Sequence, residues 1–273
     1  MHQPWNHTKD IARLFKDGRV TDNSICKSLR ESLEAAYRLE KLAKSKRIPI
    51  IEPFYGLAYG FKDASSFLRV LGPTEEFYEN QLPYFRGTPE PREDTSLFAK
   101  LFAEAGEFVR TIPEWWQYET LNDDGETSAE NNSSTILLLT IGNRSLLFTA
   151  DAGIPALTEV VNYLEWEDFD FSTLKFVQIP HHGSRRNVGP SLLNRLLGSP
   201  TPRRGLLSKT SFVSAAKKGA PKHPSKKVTN AFQRRGFKVH ATQGVNKRHS
   251  HNAPPRGGWT TSTPLQFYTQ VEE

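Results

Sequence analysis

Hydrophobic positions along this chain follow a helical period in some stretches and form continuous runs in others. Between residues 22 and 46, Ile25, Leu29, Leu33, Ala36 and Leu39 recur at steps of three and four with charges between them. That spacing predicts one helix, capped by Asp22 or Ser24. Thr135–Thr140 and Ser145–Thr149 are apolar runs separated by Gly142-Asn143-Arg144. Asn and Gly tolerate positive φ, so the pair predicts a β-hairpin. Shorter runs at Ile48–Glu52, Ser66–Leu71, Lys175–Ile179, Ser211–Ser214, Phe237–Ala241 and Leu265–Val271 predict strands. Ile154–Trp166 and Pro224–Arg235 predict helices, the second with proline at its start. Residues 74–118 read as helical, anchored by Phe98, Leu101, Phe102, Phe108, Trp115 and Trp116, and Asn122–Ser134 as an exposed polar loop. Strands alternating with helices predict an α/β fold.

The composition excludes several classes. No run of about 18 apolar residues exists, so no membrane span is expected. The amino-terminal Met1-His2-Gln3-Pro4-Trp5 lacks the features of a secretory signal. A single cysteine, Cys26, excludes an intrachain disulfide and a Cys-rich zinc site, and a cytoplasmic location is the default expectation. Charge is asymmetric. From Phe171 to Val271 there is no Asp or Glu, while 18 Lys and Arg lie between Lys175 and Arg256. Such a stretch attracts polyanions through counterion release, or else offsets an acidic first half within one globule.

Candidate chemistry sits in segments that follow one another along the chain. Glu130-Asn131-Asn132-Ser133-Ser134 leads into the hairpin, Thr149-Ala150-Asp151-Ala152-Gly153 ends it, and Lys175–Ile179 delivers Pro180-His181-His182-Gly183-Ser184. A carboxylate at a strand end can bridge cations, and histidine at a neighbouring strand end offers a neutral nitrogen for zinc or manganese. Gly183 permits a sharp turn there. Arg185 and Arg186 follow at once, and the arginine fork suits phosphate oxygens. Singly each signal is weak: an isolated Asp at a strand end is ordinarily a helix cap, and a His-His pair in a loop is ordinarily not a ligand. Order and spacing together are more specific.

The pattern Asn-x-Ser, Thr-x-Asp-Ala, then Lys-x-x-x-Pro-His-His-Gly-Ser resembles the metallo-β-lactamase-fold hydrolases of the ComEC-like branch. Phe212-Val-Ser214, His223-Pro224-Ser225 and Arg235-Gly236-Phe237-Lys238-Val239 with Thr242 extend the likeness over roughly residues 128 to 245. The resemblance implies an αββα sandwich with a dinuclear Zn²⁺ or Mn²⁺ centre at one edge. Asp151 matches the bridging carboxylate, and His181 or His182 the last histidine ligand, with Asp151 and His182 as the catalytic pair. Asn131 or Asn132 stands where other branches place a histidine. Asn132, Ser184, Arg185 and Arg186 are the expected substrate contacts, and His223 either caps the helix that follows, the favoured role, or orients substrate.

The chain departs from that family in lacking its main motif, His-x-His-x-Asp-His. His249-Ser250-His251 has part of the spacing, but Asn252-Ala253 follows, and it reads as a decoy. His2 and His7 could approach the site. Two or three ligands are few for a hydrolytic dinuclear centre, so metal binding by this chain alone is expected to be weak or absent. The expected organisation is one incomplete domain over 1–273: helix and strands in 1–73, a variable insertion in 74–133, and the motif-bearing C-terminal half in 134–273. A truncated reading frame, a second chain supplying the N-terminal half, or a degenerate relative each fit. The leading expectation is a hydrolase acting on a phosphodiester, including nucleic acid, inactive as this chain alone. The alternatives are a non-catalytic basic module that binds nucleic acid or a partner, and a structural subunit.

Overall fold

The computed structural model describes residues 1–61, 66–92, 110–217 and 223–273. Nine strands and seven helices are found among them. In chain order they are α1 (Asp22–Ser32), α2 (Glu34–Ser45), β1 (Ala58–Gly60), β2 (Ser66–Gly72), α3 (Glu75–Gln81), β3 (Thr111–Pro113), α4 (Ala129–Asn132), β4 (Ile136–Ile141), β5 (Arg144–Phe148), α5 (Ile154–Trp166), β6 (Leu174–Ile179), α6 (Pro190–Leu197), β7 (Lys209–Val213), α7 (Lys226–Arg234), β8 (Phe237–Ala241) and β9 (Gln270–Glu272). The class is α/β.

Seven strands form one mixed sheet in the order β1-β2-β4-β5-β6-β7-β8, and β3 pairs with β9 apart from it. β1, β2, β4 and β5 run antiparallel to their neighbours, whereas β5 through β8 are parallel. Each parallel step needs a crossover, and α5, α6 and α7 supply them. Right-handed crossovers between strands laid down in one direction put all three helices on the same face. The main core forms there: Ile136, Leu138, Leu147, Val177, Ile179 and Val213 meet Leu157, Val160 and Val161 of α5, Leu193 and Leu196 of α6, and Val228 and Phe232 of α7.

The other face of the sheet is covered differently. Leu137, Leu139, Leu146 and Phe148 alternate with the core residues and stay partly exposed. Farther across, Phe148, Phe176 and Phe212 pack in sequence, tilted and then edge-to-face, at 5.7 and 5.1 Å between ring centres, and His249 lies tilted against Phe176 at 5.1 Å. A second, smaller core joins Ile11, Phe15, Ile25, Leu29, Tyr78, Leu82, Phe85 and Ala129.

Several expectations need correction. The helix over 22–46 is broken at Leu33, which ends α1 and begins α2. Thr21, not Asp22 or Ser24, is the cap: its side chain accepts from the Ser24 N–H while Ser24 answers in a capping box. The break rotates α2, so Leu39 is 54% exposed and Glu40 is buried in its place. Ile48–Glu52 is not a strand, Leu265–Val271 contributes only β9, and Asn122–Ser134 contains the short α4. Helix α6 was not expected, although Pro190 at its start and Leu192, Leu193, Leu196 and Leu197 on one side announce it. Within 74–118 the structure has α3 and β3; Phe98, Leu101, Phe102 and Phe108 lie outside the described residues.

Candidate metal centre

Parallel strands deliver their C-terminal ends to one edge of the sheet, and the predicted site residues gather there. β5 runs out at Phe148, and the Thr149 hydroxyl donates to the Gln178 carbonyl at 2.8 Å, tying the ends of β5 and β6 together. Ala150 takes a left-handed φ of 46°, turning the chain so that Asp151 stands clear of the strand. Two buried asparagines hold the turn. Asn187 donates to the carbonyls of Asp151 and Ala152 at 2.8 and 3.2 Å. Asn132 lies against Gly153, where a Cβ would fall 2.5 Å from its Oδ1, so only glycine fits. That Oδ1 is buried and has no hydrogen-bond partner.

The histidine turn is more strained. His181, His182 and Gly183 all have left-handed φ, at 42°, 57° and 79°. Gly183 takes such a φ freely, and histidine visits that region more than most residues, but two histidines in succession there cost energy that surrounding contacts must offset. Those contacts are a His181 N–H bond to the Ala150 carbonyl at 3.1 Å and a Ser225 N–H bond to the Gly183 carbonyl at 3.0 Å. Gly183 has no room for a side chain, since a Cβ would meet Pro224 Cβ at 2.8 Å.

The turn places His181 Nδ1 3.5 Å from Asp151 Oδ2, an ion-pair contact at the outer limit of hydrogen bonding. The His181 contact, and then the charges of His181 and His182, hold the Asp151 carboxyl below the usual range, against partial burial that pushes it up. His182 is exposed, and its Nδ1 lies 2.8 Å from the Ser214 carbonyl just past β7. A carbonyl only accepts, so in the neutral ring Nδ1 carries the proton and Nε2 has the lone pair. Fixing the tautomer through the far nitrogen is how proteins orient a metal-binding imidazole. The two histidine rings are 5.6 Å apart. A carboxylate and two imidazoles thus lie near one another at the edge, a residue set of the type that binds Zn²⁺ or Mn²⁺, although their donor atoms do not all come within 4.8 Å of one another.

The other expected residues separate into groups. Ser184 is buried, and its hydroxyl accepts the Arg186 N–H at 3.2 Å, so it shapes the turn. Arg185 donates to the Glu273 carbonyl, whereas Arg186 is exposed. Asn132 lies beside the Asp151 loop, and the backbone amide of Asp151 meets the Ser134 hydroxyl at 3.3 Å. His223 immediately precedes Pro224, which packs on Gly183. It does not cap α7; Ser225 does, accepting the Val228 N–H at 3.3 Å. His2 reaches this edge, with Nε2 3.2 Å from the Thr135 hydroxyl, while His7 turns instead to Glu52, Glu75 and Glu79. His249 sits on the partly covered sheet face over Phe176. Sequence reasoning missed Asn187 and the Ser214 carbonyl, neither of which carries a sequence signal because each acts only through the folded geometry.

No family model matches the chain. Among curated proteins it is similar to Uncharacterized protein YcaI of Escherichia coli (strain K12), with 29% identity over 122 residues. It is also similar to ComE operon protein 3 of Bacillus subtilis (strain 168), with 27% identity over 126 residues. Each match spans 45% of this chain and only 14% of the relative. This is distant homology to a ComEC-like protein over less than half of the chain. No solved structure matches. Among the described residues no helix is long and apolar enough to cross a membrane.

Proposed function

We propose that this chain carries one side of a metal-dependent hydrolase centre of the metallo-β-lactamase type, acting on a phosphodiester or nucleic acid once further ligands complete it. The observation that supports the reading best is the placement of Asp151, His181 and His182 side by side at one sheet edge, on turns held in left-handed conformations. After a change of side-chain rotamers, Asp151 Oδ2, a ring nitrogen of His181 and Nε2 of His182 would be the donors for Zn²⁺ or Mn²⁺. An ion bound there supplies a water acidified to a pKa near 7 and a positive charge for developing oxyanions. The chain's own residues do the positioning. The depressed carboxyl of Asp151 keeps it ionised, the Ser214 carbonyl aims His182, and Asn187 fixes the Asp151 loop. Arg186, exposed on the same turn, is the candidate fork for a phosphate.

Three ligands are too few for two metals about 3.5–4 Å apart. The remaining ligands are assigned, within this proposal, to a second layer packed on Leu137, Leu139, Leu146 and Phe148 and supplied by further polypeptide. The acid-free stretch from Phe171 to Val271 favours a second reading, a metal-free module that grips nucleic acid.

Elemental analysis of the purified chain, beside Asp151→Ala and His181→Ala/His182→Ala, separates the two. Zinc or manganese that falls in both variants supports the centre, and hydrolysis of a phosphodiester such as bis(p-nitrophenyl) phosphate is then measured. Equal metal in all three proteins, with salt-sensitive DNA binding, rejects the centre in favour of the binding module.

A further inference from the structure

Away from the strand ends, the structure builds a second group of ligand-type side chains. His7 is held by Phe54 and Tyr78, each 5.4 Å away between ring centres, and its side chain is only 8% exposed. Its Nε2 lies 3.2 Å from Glu52 Oε2, and its Nδ1 lies 3.0 Å from Glu79 Oε1 and 3.6 Å from Glu75 Oε1. Glu75 and Glu79 stand one turn apart on α3 and face the same way. One atom from each of His7, Glu75 and Glu79 lies within 4.8 Å of the others.

The buried imidazole makes this more than a patch of acids. Neutral histidine has one N–H. Given to Glu52, it leaves Nδ1 with a lone pair aimed at two carboxylate oxygens, and that contact repels unless a cation lies between them. A second proton would satisfy Nδ1 and no more. Among the described residues none of Glu52, Glu75 and Glu79 pairs with a Lys or Arg, so an imidazolium would still face three carboxylates. The i,i+4 carboxylates would also repel each other on α3. A divalent cation answers both. Separations of 3.0 and 3.6 Å suit ligand atoms placed about 2.0–2.2 Å from zinc. Glu52 then stands behind the histidine as the carboxylate that orients a metal-bound imidazole, and is itself held by the Gln3 N–H.

We propose that His7, Glu75 and Glu79 bind one divalent cation of the zinc or manganese type, with Glu52 positioning His7. The site shares no residue with the Asp151–His181–His182 cluster, so either proposal can fail alone.

The test strips the full chain of metal and titrates it calorimetrically with ZnCl₂ and MnCl₂, counting bound metal by elemental analysis. Asp151→Ala/His181→Ala/His182→Ala provides the background, into which Glu75→Gln/Glu79→Gln or Glu52→Gln is introduced. Glu75 and Glu79 are exposed, so their replacement leaves the fold intact, and matched melting curves check this. One equivalent should survive in the background and disappear with Glu75→Gln/Glu79→Gln. Glu52→Gln should weaken it by about 10–100-fold. Loss of all metal in the background, or unchanged binding after Glu75→Gln/Glu79→Gln, overturns the proposal. So does nitrogen NMR in which His7 carries protons on both ring nitrogens with and without added metal.

Discussion

Replacing Arg234 by methionine should cost far more than replacing any arginine on the surface. Arg234 lies on α7 with its side chain 1% exposed, and it spends its guanidinium on one segment. Nη1 donates to Glu114, Nε to the Trp116 carbonyl at 2.9 Å, and Nη2 to the carbonyls of Trp115 and Tyr118 at 2.7 and 2.9 Å. These bonds dock residues 114–118 onto α7. Methionine fills similar space but strands a buried carboxylate. Thr120 and Asn230 still donate to Glu114, yet neither carries charge. Removing one partner of a buried ion pair costs about 3–5 kcal/mol, and the carbonyls of Trp116 and Tyr118 are orphaned as well, while that of Trp115 keeps the Tyr118 N–H. Against a total stability of about 5–15 kcal/mol, that is a large fraction. The control is Arg195→Met, which breaks an exposed pair with Glu165 at 2.6 Å and should cost at most about 1 kcal/mol. Urea unfolding followed by far-ultraviolet circular dichroism measures both. Arg234→Lys should recover little, because an ammonium cannot point in four fixed directions. Glu114→Leu/Arg234→Met should be more stable than Arg234→Met alone, since no unpaired charge stays buried. An Arg234→Met midpoint equal to that of Arg195→Met, or a double variant no better than the single, would refute this reasoning.

Further predictions concern the site edge. Gly183→Ala must hold a φ of 79° and press a methyl to 2.8 Å from Pro224, so it should lose about 1–3 kcal/mol in urea unfolding. Asn187→Leu orphans the Asp151 and Ala152 carbonyls and should cost about 1–3 kcal/mol; a variant as stable as wild type would deny Asn187 its role. Asp151→Ala breaks only a half-exposed contact and should change stability by less than about 1 kcal/mol, so metal lost in that variant reports ligation, not unfolding. Burial, then the amino terminus and His7, push the His2 pKa from 6.5 down to about 4. The unfolded chain therefore takes up that proton first, and stability should fall as pH drops from about 6.5 to about 4. The loss attributable to His2 is up to about 3 kcal/mol. Wild type and His2→Gln should diverge over that window, and parallel curves would remove His2 as the cause.

Legibility along the chain followed the strength of local signals. The β4–β5 hairpin, α5, β6 and β8 lie where the apolar runs and the Gly142-Asn143 turn predicted, because these segments are buried and locally consistent. The break at Leu33 was hidden, since α1 and α2 each keep a helical period and only packing of α1 against Tyr78 and Phe85 decides the angle. Ile48–Glu52 looked like a strand, yet Glu52 is drawn to His7 and the segment joins no sheet. At the candidate centre, chain order supplied Asp151, His181 and His182 because each ends a strand, and parallel strands end at one edge. The supports were illegible. Ser214 acts through its carbonyl, Asn187 acts across 36 residues, and Ser225 takes the capping role that His223 could equally have filled by position.

The incomplete ligand set and the partly covered sheet face bear on each other. Helices α5, α6 and α7 cover one side of the sheet, and the chain between β8 and β9 covers only part of the other, through His249 on Phe176 and Ser262 on His240. Leu137, Leu139, Leu146 and Phe148 remain beside the strands that end at Asp151 and His181. Under the hydrolase proposal, a layer packed on those residues would meet the edge where the ligands are lacking. Burial of the face and completion of the centre would then be one event, and the metal would stabilise the assembled form by mass action. Under the binding-module reading the two are unrelated, and polypeptide packed on the face would leave metal affinity unchanged. The strain at His181 and His182 weighs toward coupling. Two successive left-handed histidines need more than a surface turn to justify them, and a turn that only bound DNA through Arg186 would gain nothing from fixing the tautomer of His182.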